Sequence, residues 1–265
     1  MDAGLRQRYM QVMGIPVWMP KDTYGSAEES PLPNLPPQGG KEQELLPSPI
    51  LLPSPLAGGE APRLSCWDGL GMGGASCSHL SWQDLRATVQ SCTRCALAKT
   101  RTQAVFGAGD VQARWMIIGE APGADEDRRG EPFVGRAGQL LNNMLAAIGL
   151  PRESVYIANV LKCRPPNNRD PKVDEAANCR GYLERQIELV NPTLILVVGR
   201  IAAQNLLHTD APLARLRGKQ HRAPVSGTPV VVTYHPAYLL RQPADKRKAW
   251  EDLQFAREIL ATHVN

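Results

Sequence analysis

The sequence predicts an α/β protein, a three-layer α/β/α arrangement around a central four-stranded, mostly parallel sheet. Two observations predict it. Four short runs are apolar on both faces, as strands covered from both sides are. Stretches of helical periodicity separate them.

The runs are 115–120 (WMIIGE), 154–163 (SVYIANVLKC), 193–199 (TLILVVG) and 229–236 (PVVVTYHP). The helical stretches begin at Ser81, a good N-cap ahead of WQDLRATVQSC. They continue at about 136–148, 171–190, 200–207 and 244–261. In such a sheet, ligands bind beyond the C-terminal strand ends. There the four runs lead into GEAPG, NVLKCRPP, GR and HPAYLL. Residues scattered along the chain are thereby expected to converge.

The chain divides at about residue 80. Residues 81–265 form the folded domain. Residues 1–80 form an N-terminal extension. Leu5 to Val12 is amphipathic, and Ile15, Val17, Trp18 and Met19 follow it, so either a short helix for docking a protein partner or a dispensable appendage is expected. Residues 30–80 are rich in Pro, Gly and Ser and contain LPSP twice. That composition does not bury enough apolar surface to offset chain entropy and reads as a flexible linker. Cys66 and Cys77 fall within it as bystanders.

Apolar residues make up 43% of the 265, enough for a sizeable core. No apolar run reaches the roughly 18 residues of a membrane span. The N-terminus lacks the apolar segment of a secretory signal. A cytoplasmic monomer is expected, its six cysteines not paired as disulfides. The extension carries 5 Lys+Arg against 8 Asp+Glu, the domain 25 against 18. A basic domain suits an anionic partner such as nucleic acid.

Cys92 and Cys95 form a C-x2-C pair near the end of the first helix. Cys163 ends the second strand, and Cys179 lies on the next helix. Four thiolates serve either zinc or an iron–sulfur cluster, and the spacing is compatible with both.

Residues 119–141 read GEAPGADEDRRGEPFVGRAGQLL. This is a strand end, a Gly/Pro-rich loop, an aromatic and a glycine-led helix. Gly119 and Gly123 admit close backbone approach to a ligand. Gly135 and Gly138 open a helix whose N-terminus suits an anion. Phe133 is placed to stack on a flat base.

This string resembles the first motif of the family 4 uracil-DNA glycosylases, the iron–sulfur branch of that superfamily. PVVVTYHPAYLLRQP (229–243) resembles their second motif, and NVLKCRPPNNRDP (159–171) their middle segment. The four cysteines follow the family's ligand order. The likeness spans about residues 84–260.

The resemblance implies a repair enzyme that flips uracil from DNA and hydrolyses its glycosidic bond. It implies that Cys92, Cys95, Cys163 and Cys179 hold a structural [4Fe–4S] cluster. Phe133 would stack on uracil and Asn159 would bond its Watson–Crick edge. His235 would donate to O2, with Ala121 and Gly123 beside the base. Leu239, Leu240 and Arg241 would form a loop entering the duplex. Arg241, Arg136, Arg164, Lys162 and Arg169 would meet phosphates. The best-known branch has an Asp where this chain has Ala121, which cannot activate water. Glu120 is then the first candidate for that task and Glu126 the second. A related branch that traps the sugar with a histidine is disfavoured, because RPPNNRDPK contains no His. An electron-transfer module would explain the cysteines but not Phe133, Asn159 and HPAYLLR together.

Overall fold

The computed structural model describes Met10, Cys77 and residues 79–262. A six-stranded sheet runs through the domain. Its strands are β1 (Ala108–Gly109), β2 (Trp115–Gly119), β3 (Tyr156–Asn159), β4 (Leu194–Val198), β5 (Gln220–Arg222) and β6 (Pro229–Thr233), in spatial order β1-β3-β2-β4-β6-β5. The four inner strands are parallel and are those the sequence predicts. Two edge strands are additional, each antiparallel to its neighbour. Their sequences, AG and QHR, are too short to carry a periodicity. Short edges also resist pairing with other chains.

The helices are α1 (Trp82–Gln90), α2 (Ala124–Arg129), α3 (Arg136–Ala147), α4 (Val173–Val190), α5 (Arg200–Leu207), α6 (Leu213–Leu216), α7 (Pro236–Arg241) and α8 (Lys246–Thr262). Ser81 caps α1 by accepting from the Asp84 amide at 3.3 Å. Successive strand residues point to opposite faces. Ile117, Leu196, Val198 and Val231 therefore meet α3 and α8. Met116, Ile118, Ile195, Val197 and Val232 meet α4 and α5. This is why the strands read as continuous apolar runs.

A third cluster gathers Leu85 and Val89 of α1 with Phe106 and Tyr182. Cys77 and Leu80 are buried in it, so the ordered domain starts before Ser81. Cys77 is disulfide-bonded, which corrects the expectation of unpaired cysteines. Its packing with Leu80 and Leu85, rather than the linker-like composition around it, decides its environment. Helical Met10 packs against the cluster that holds α3 and α8. The rest of the expected docking helix and linker lies outside the described residues. Among the described residues no helix is long and apolar enough to cross a membrane.

Strand register positions the functional segments. Gly119 pairs beside Asn159, and Val198 beside Thr233. The chain leaves all four inner strands at one end of the sheet. After β6 it does not form the expected loop. His235 caps α7 and Pro236 occupies its first turn, where a missing N–H costs nothing. Leu239 is fully buried among the core residues, because it sits on the inner face of this helix. Leu240 is 38% exposed. The expectation that Leu239 enters a duplex is thus corrected: it is core, and only Leu240 of the two is exposed.

A denaturant series separates the two. Leu239→Ala should lower unfolding free energy by about 2–5 kcal/mol, as core truncations do. Leu240→Ala should stay within about 0.5 kcal/mol of the parent. Equal costs would contradict this placement.

Candidate active site

The site is built around a clamped aromatic. Phe133 has φ 54°, a left-handed conformation unusual for a bulky residue. Three contacts hold it there. The Glu126 carboxylate accepts from the amides of Val134 (2.9 Å), Gly135 (3.0 Å) and Gly123 (3.1 Å). Arg152 donates to the Pro132 carbonyl at 2.6 Å and to Asn142 Oδ1 at 3.0 Å. Gly138 completes the clamp, since a Cβ there would collide with the Phe133 carbonyl. A carboxylate bonded to amides at the starts of α2 and α3 also meets the positive ends of both helices.

Gly119 is the floor. A Cβ there would lie 2.6 Å from the Phe133 ring and would also strike Asn159 Oδ1. Its absence brings the ring and the amide together. Asn159 is 2% exposed, and its backbone carbonyl accepts from Lys162 Nζ at 2.8 Å. Its side-chain Oδ1 is buried with no partner among the described residues. An unpaired buried acceptor costs about 1–3 kcal/mol, so it marks a place where a ligand donor fits.

His235 faces the same space. Its ring lies 5.7 Å from that of Phe133, tilted by 32°. Gly199, at φ 99°, leaves room for it, since a Cβ there would lie 3.0 Å from His235 Cβ. Nδ1 accepts from the Ala237 amide at 3.1 Å, which places the neutral ring's proton on Nε2. Burial, reinforced by the Arg241 charge and opposed by Glu126, pushes its pKa down to about 4. The histidine is therefore a neutral N–H donor near pH 7.

Glu120 follows β2. Burial, then the charge of Asp170, pushes its carboxyl up to about 7, and Arg200 opposes this. A group poised there can take a proton at neutral pH. These side chains, with Ala121, Gly123 and Arg241, line a cleft of about 440 Å3.

The structure thus gathers Glu120, Ala121, Gly123, Glu126, Phe133, Asn159, His235 and Arg241 as expected. Glu126, Lys162 and Arg169 depart from expectation. Glu126 accepts from three backbone amides, which commits most of its lone pairs. Lys162 is 1% exposed and bonded to Asn159 O and Gln186 Oε1, so no phosphate reaches it. Arg169 is tied to Glu175 by bonds of 2.8 and 2.6 Å. Arg136 is exposed at the start of α3, and Arg164 donates to Asn168 Oδ1 at 2.8 Å. Asp170, Tyr238 and Arg152 were not singled out by sequence reasoning. Asp170 stood in the NNRDP segment, whose two Asn residues at φ 56° and 54° mark a tight turn. Nothing local marked Arg152.

The four candidate thiols are free; Cys163 and Cys179 are buried. Burial first pushes Cys179 up to about 12, and the charges of Cys163 and Cys95 add to it. Cys163 is raised by burial and by Cys95 and Cys92, while Arg101 donates to its Sγ at 3.0 Å. Burial first, then Cys92, pushes the Tyr182 hydroxyl up. The thiols lie close enough to sense one another and have a cation beside them. Among the described residues, no His, Cys, Asp or Glu group is drawn tight enough to clasp a single ion.

The chain is similar in sequence to known proteins. The family model of the uracil DNA glycosylase superfamily matches residues 106–254. The type-4 uracil-DNA glycosylase of Archaeoglobus fulgidus is 45% identical over 185 residues, 68% of this chain and 93% of that protein. That of Sulfurisphaera tokodaii is 41% identical, over 69% of this chain and 86% of that protein. That of Thermotoga maritima is 41% identical, over 65% and 91%.

The histidine's state is measurable by nitrogen-15 NMR titration. His235 should appear as the Nε2–H tautomer with a midpoint near pH 4. Its native pKa lies below the unfolded value of about 6.5, so stability from this group is full above pH 6.5. It should decline as pH falls from there toward 4. A midpoint near 6.5 would contradict the burial argument.

Proposed function

This chain belongs to the uracil-DNA glycosylase superfamily, within its type-4 branch, and from that premise we propose which of its side chains does what. The protein is a uracil-DNA glycosylase. It removes uracil from DNA in repair and hydrolyses the N-glycosyl bond. One observation carries the assignment of roles: Asn159 Oδ1 is buried and unpartnered, across Gly119 from the clamped Phe133 ring.

Uracil flipped into the cleft stacks on Phe133. Asn159 accepts from N3–H and donates to O4, a pairing its amide can make in one orientation. Cytosine presents the reverse pattern, an acceptor at N3 and a donor at C4, and is refused. Unpaired buried groups make such refusals strong. Glu126 serves discrimination through the loop that it clamps.

The bond from C1′ to N1 breaks with its electron pair passing to the base, leaving an oxocarbenium-like sugar. Charge collects on uracil O2, where His235 Nε2–H donates. A neutral donor already in place needs no reorganisation as that charge forms. Water adds at C1′ and gives a proton to Glu120. Leu240 fills the space left in the duplex, and Arg241, Arg136 and Arg164 meet phosphates, a salt-sensitive contribution. The DNA substrate supports a cytoplasmic location, and the domain works as a monomer. The extension ahead of Cys77 serves a protein partner.

Cys92, Cys95, Cys163 and Cys179 fit a [4Fe–4S] cluster. They supply four coupled thiols, with Arg101 to offset their charge. A cluster there would join the segments after α1 and β3 to α4 and would stiffen the segment carrying Asn159; no step of the reaction needs it.

Single-turnover release from an oligonucleotide carrying one uracil tests the roles. Wild type should release uracil and spare thymine. His235→Ala should slow release by about 10²–10³-fold, the loss expected for one transition-state donor. Asn159→Ala should lose both rate and discrimination. Near-wild-type turnover in both variants would overturn the pocket. Freshly purified protein should absorb visibly near about 400 nm, and Cys179→Ser should lose that band and melt earlier. A colourless, zinc-loaded protein would overturn the cluster.

A further inference from the structure

The cleft holds one member of a charged pair, Asp170 with Arg200, that the reaction scheme above leaves unused. Asp170 lines the cleft with Glu120. Its carboxylate meets Arg200 Nη2 at 3.3 Å, and its carbonyl accepts from Arg169 Nη1 at 3.0 Å. Arg169 is itself held by both oxygens of buried Glu175, which also accepts from the Lys172 amide at 2.9 Å. Asn167 and Asn168, both left-handed, turn the chain so that 169 and 170 return to the cleft. The backbone of Asp170 is therefore anchored, and its side chain is tied to the first residue of α5.

We propose that Asp170 is a positioning residue acting through Glu120, and that the Asp170–Arg200 pair sets the pH range in which Glu120 takes a proton from the attacking water. This rests on Glu120 being the base for that water.

The charged groups around Glu120 support it. His235 is neutral near pH 7. Glu126 is occupied by three amides, and Arg169 by Glu175. Arg241 stands on α7, beside His235, whose protonation it disfavours. Asp170 and Arg200 are the two groups whose charges act on Glu120, with opposite sign. A like charge favours the protonated acid, and an opposite charge favours the carboxylate. In the free protein Arg200 and Asp170 are 50% and 66% exposed, so water screens them. DNA covering the mouth of the cleft removes that water and strengthens both effects.

The test is the pH profile of single-turnover release with enzyme saturating, so that it reports the DNA complex. Each profile is normalised to its own plateau. In the wild type, release should rise with pH as Glu120 ionises. Asp170→Asn should move that acid limb to lower pH, and Arg200→Gln should move it to higher pH. Each shift should be about half a pH unit or more. Arg200→Lys keeps the charge and should leave the limb in place. Glu120→Gln should abolish the limb, and adding either substitution to it should restore nothing.

Opposed shifts that vanish in the Glu120→Gln background establish the inference. Loss of the limb in Glu120→Gln, without opposed shifts in the other two, overturns the role of the pair and leaves Glu120 as the base. A wild-type limb in Glu120→Gln overturns the base itself and the inference with it. A merely structural ion pair would change amplitude or melting temperature without moving the limb in opposite directions.

Discussion

The site depends on one carboxylate bonded to three backbone amides. Glu126 joins the start of α2, the loop after Phe133 and the start of α3 in a single contact set. Without it, the Phe133 loop would have two unsatisfied amides and no reason to stay left-handed. Strain of this kind costs on the order of 1–3 kcal/mol and persists only where the surroundings over-determine it. Here Glu126, Arg152 and Gly138 do so from three sides. The result is a fixed platform, with Asn159 beneath one edge and His235 beside it. A rigid platform matters because small misplacements of reacting groups cost large factors in rate.

The second constraint is dryness. Burial keeps His235 neutral and holds Glu120 near 7, so the same desolvation prepares a donor and an acceptor. The two groups move in opposite directions because burial disfavours whichever form is charged. Near pH 7, His235 is held neutral and the Glu120 carboxyl is pushed up to about 7. The proposed mechanism accommodates the expected departure from the better-known branch, Ala121 where an Asp stands there. In that proposal the neighbouring Glu120 supplies the carboxylate.

Much of this was legible in the sequence because it was written as period and composition. The four inner strands could be read from runs with no polar face, and five of the helices from their spacing and the Ser81 cap. The edge strands could not, since two or three residues carry no pattern. Site residues next to strand ends were legible because topology brings strand ends together. Leu239 was misjudged: LL in a motif does not reveal which leucine faces inward until α7 exists. Lys162 was misjudged for a related reason. Its charge suggested a phosphate, whereas the turn after β3 folds it into the core against Gln186. Arg152 and Asp170 act across the fold, and no local pattern announces such contacts.

The central claim is that Asn159 and His235 read and polarise a base held on Phe133. Nitrogen-15 NMR of the Asn159 amide and the His235 ring during titration with free uracil tests it most directly, because it needs neither DNA nor turnover. Uracil should shift both the Asn159 side-chain signals and His235 Nε2–H, with cytosine leaving them in place. Uracil that binds and leaves these two side chains unmoved would contradict the account.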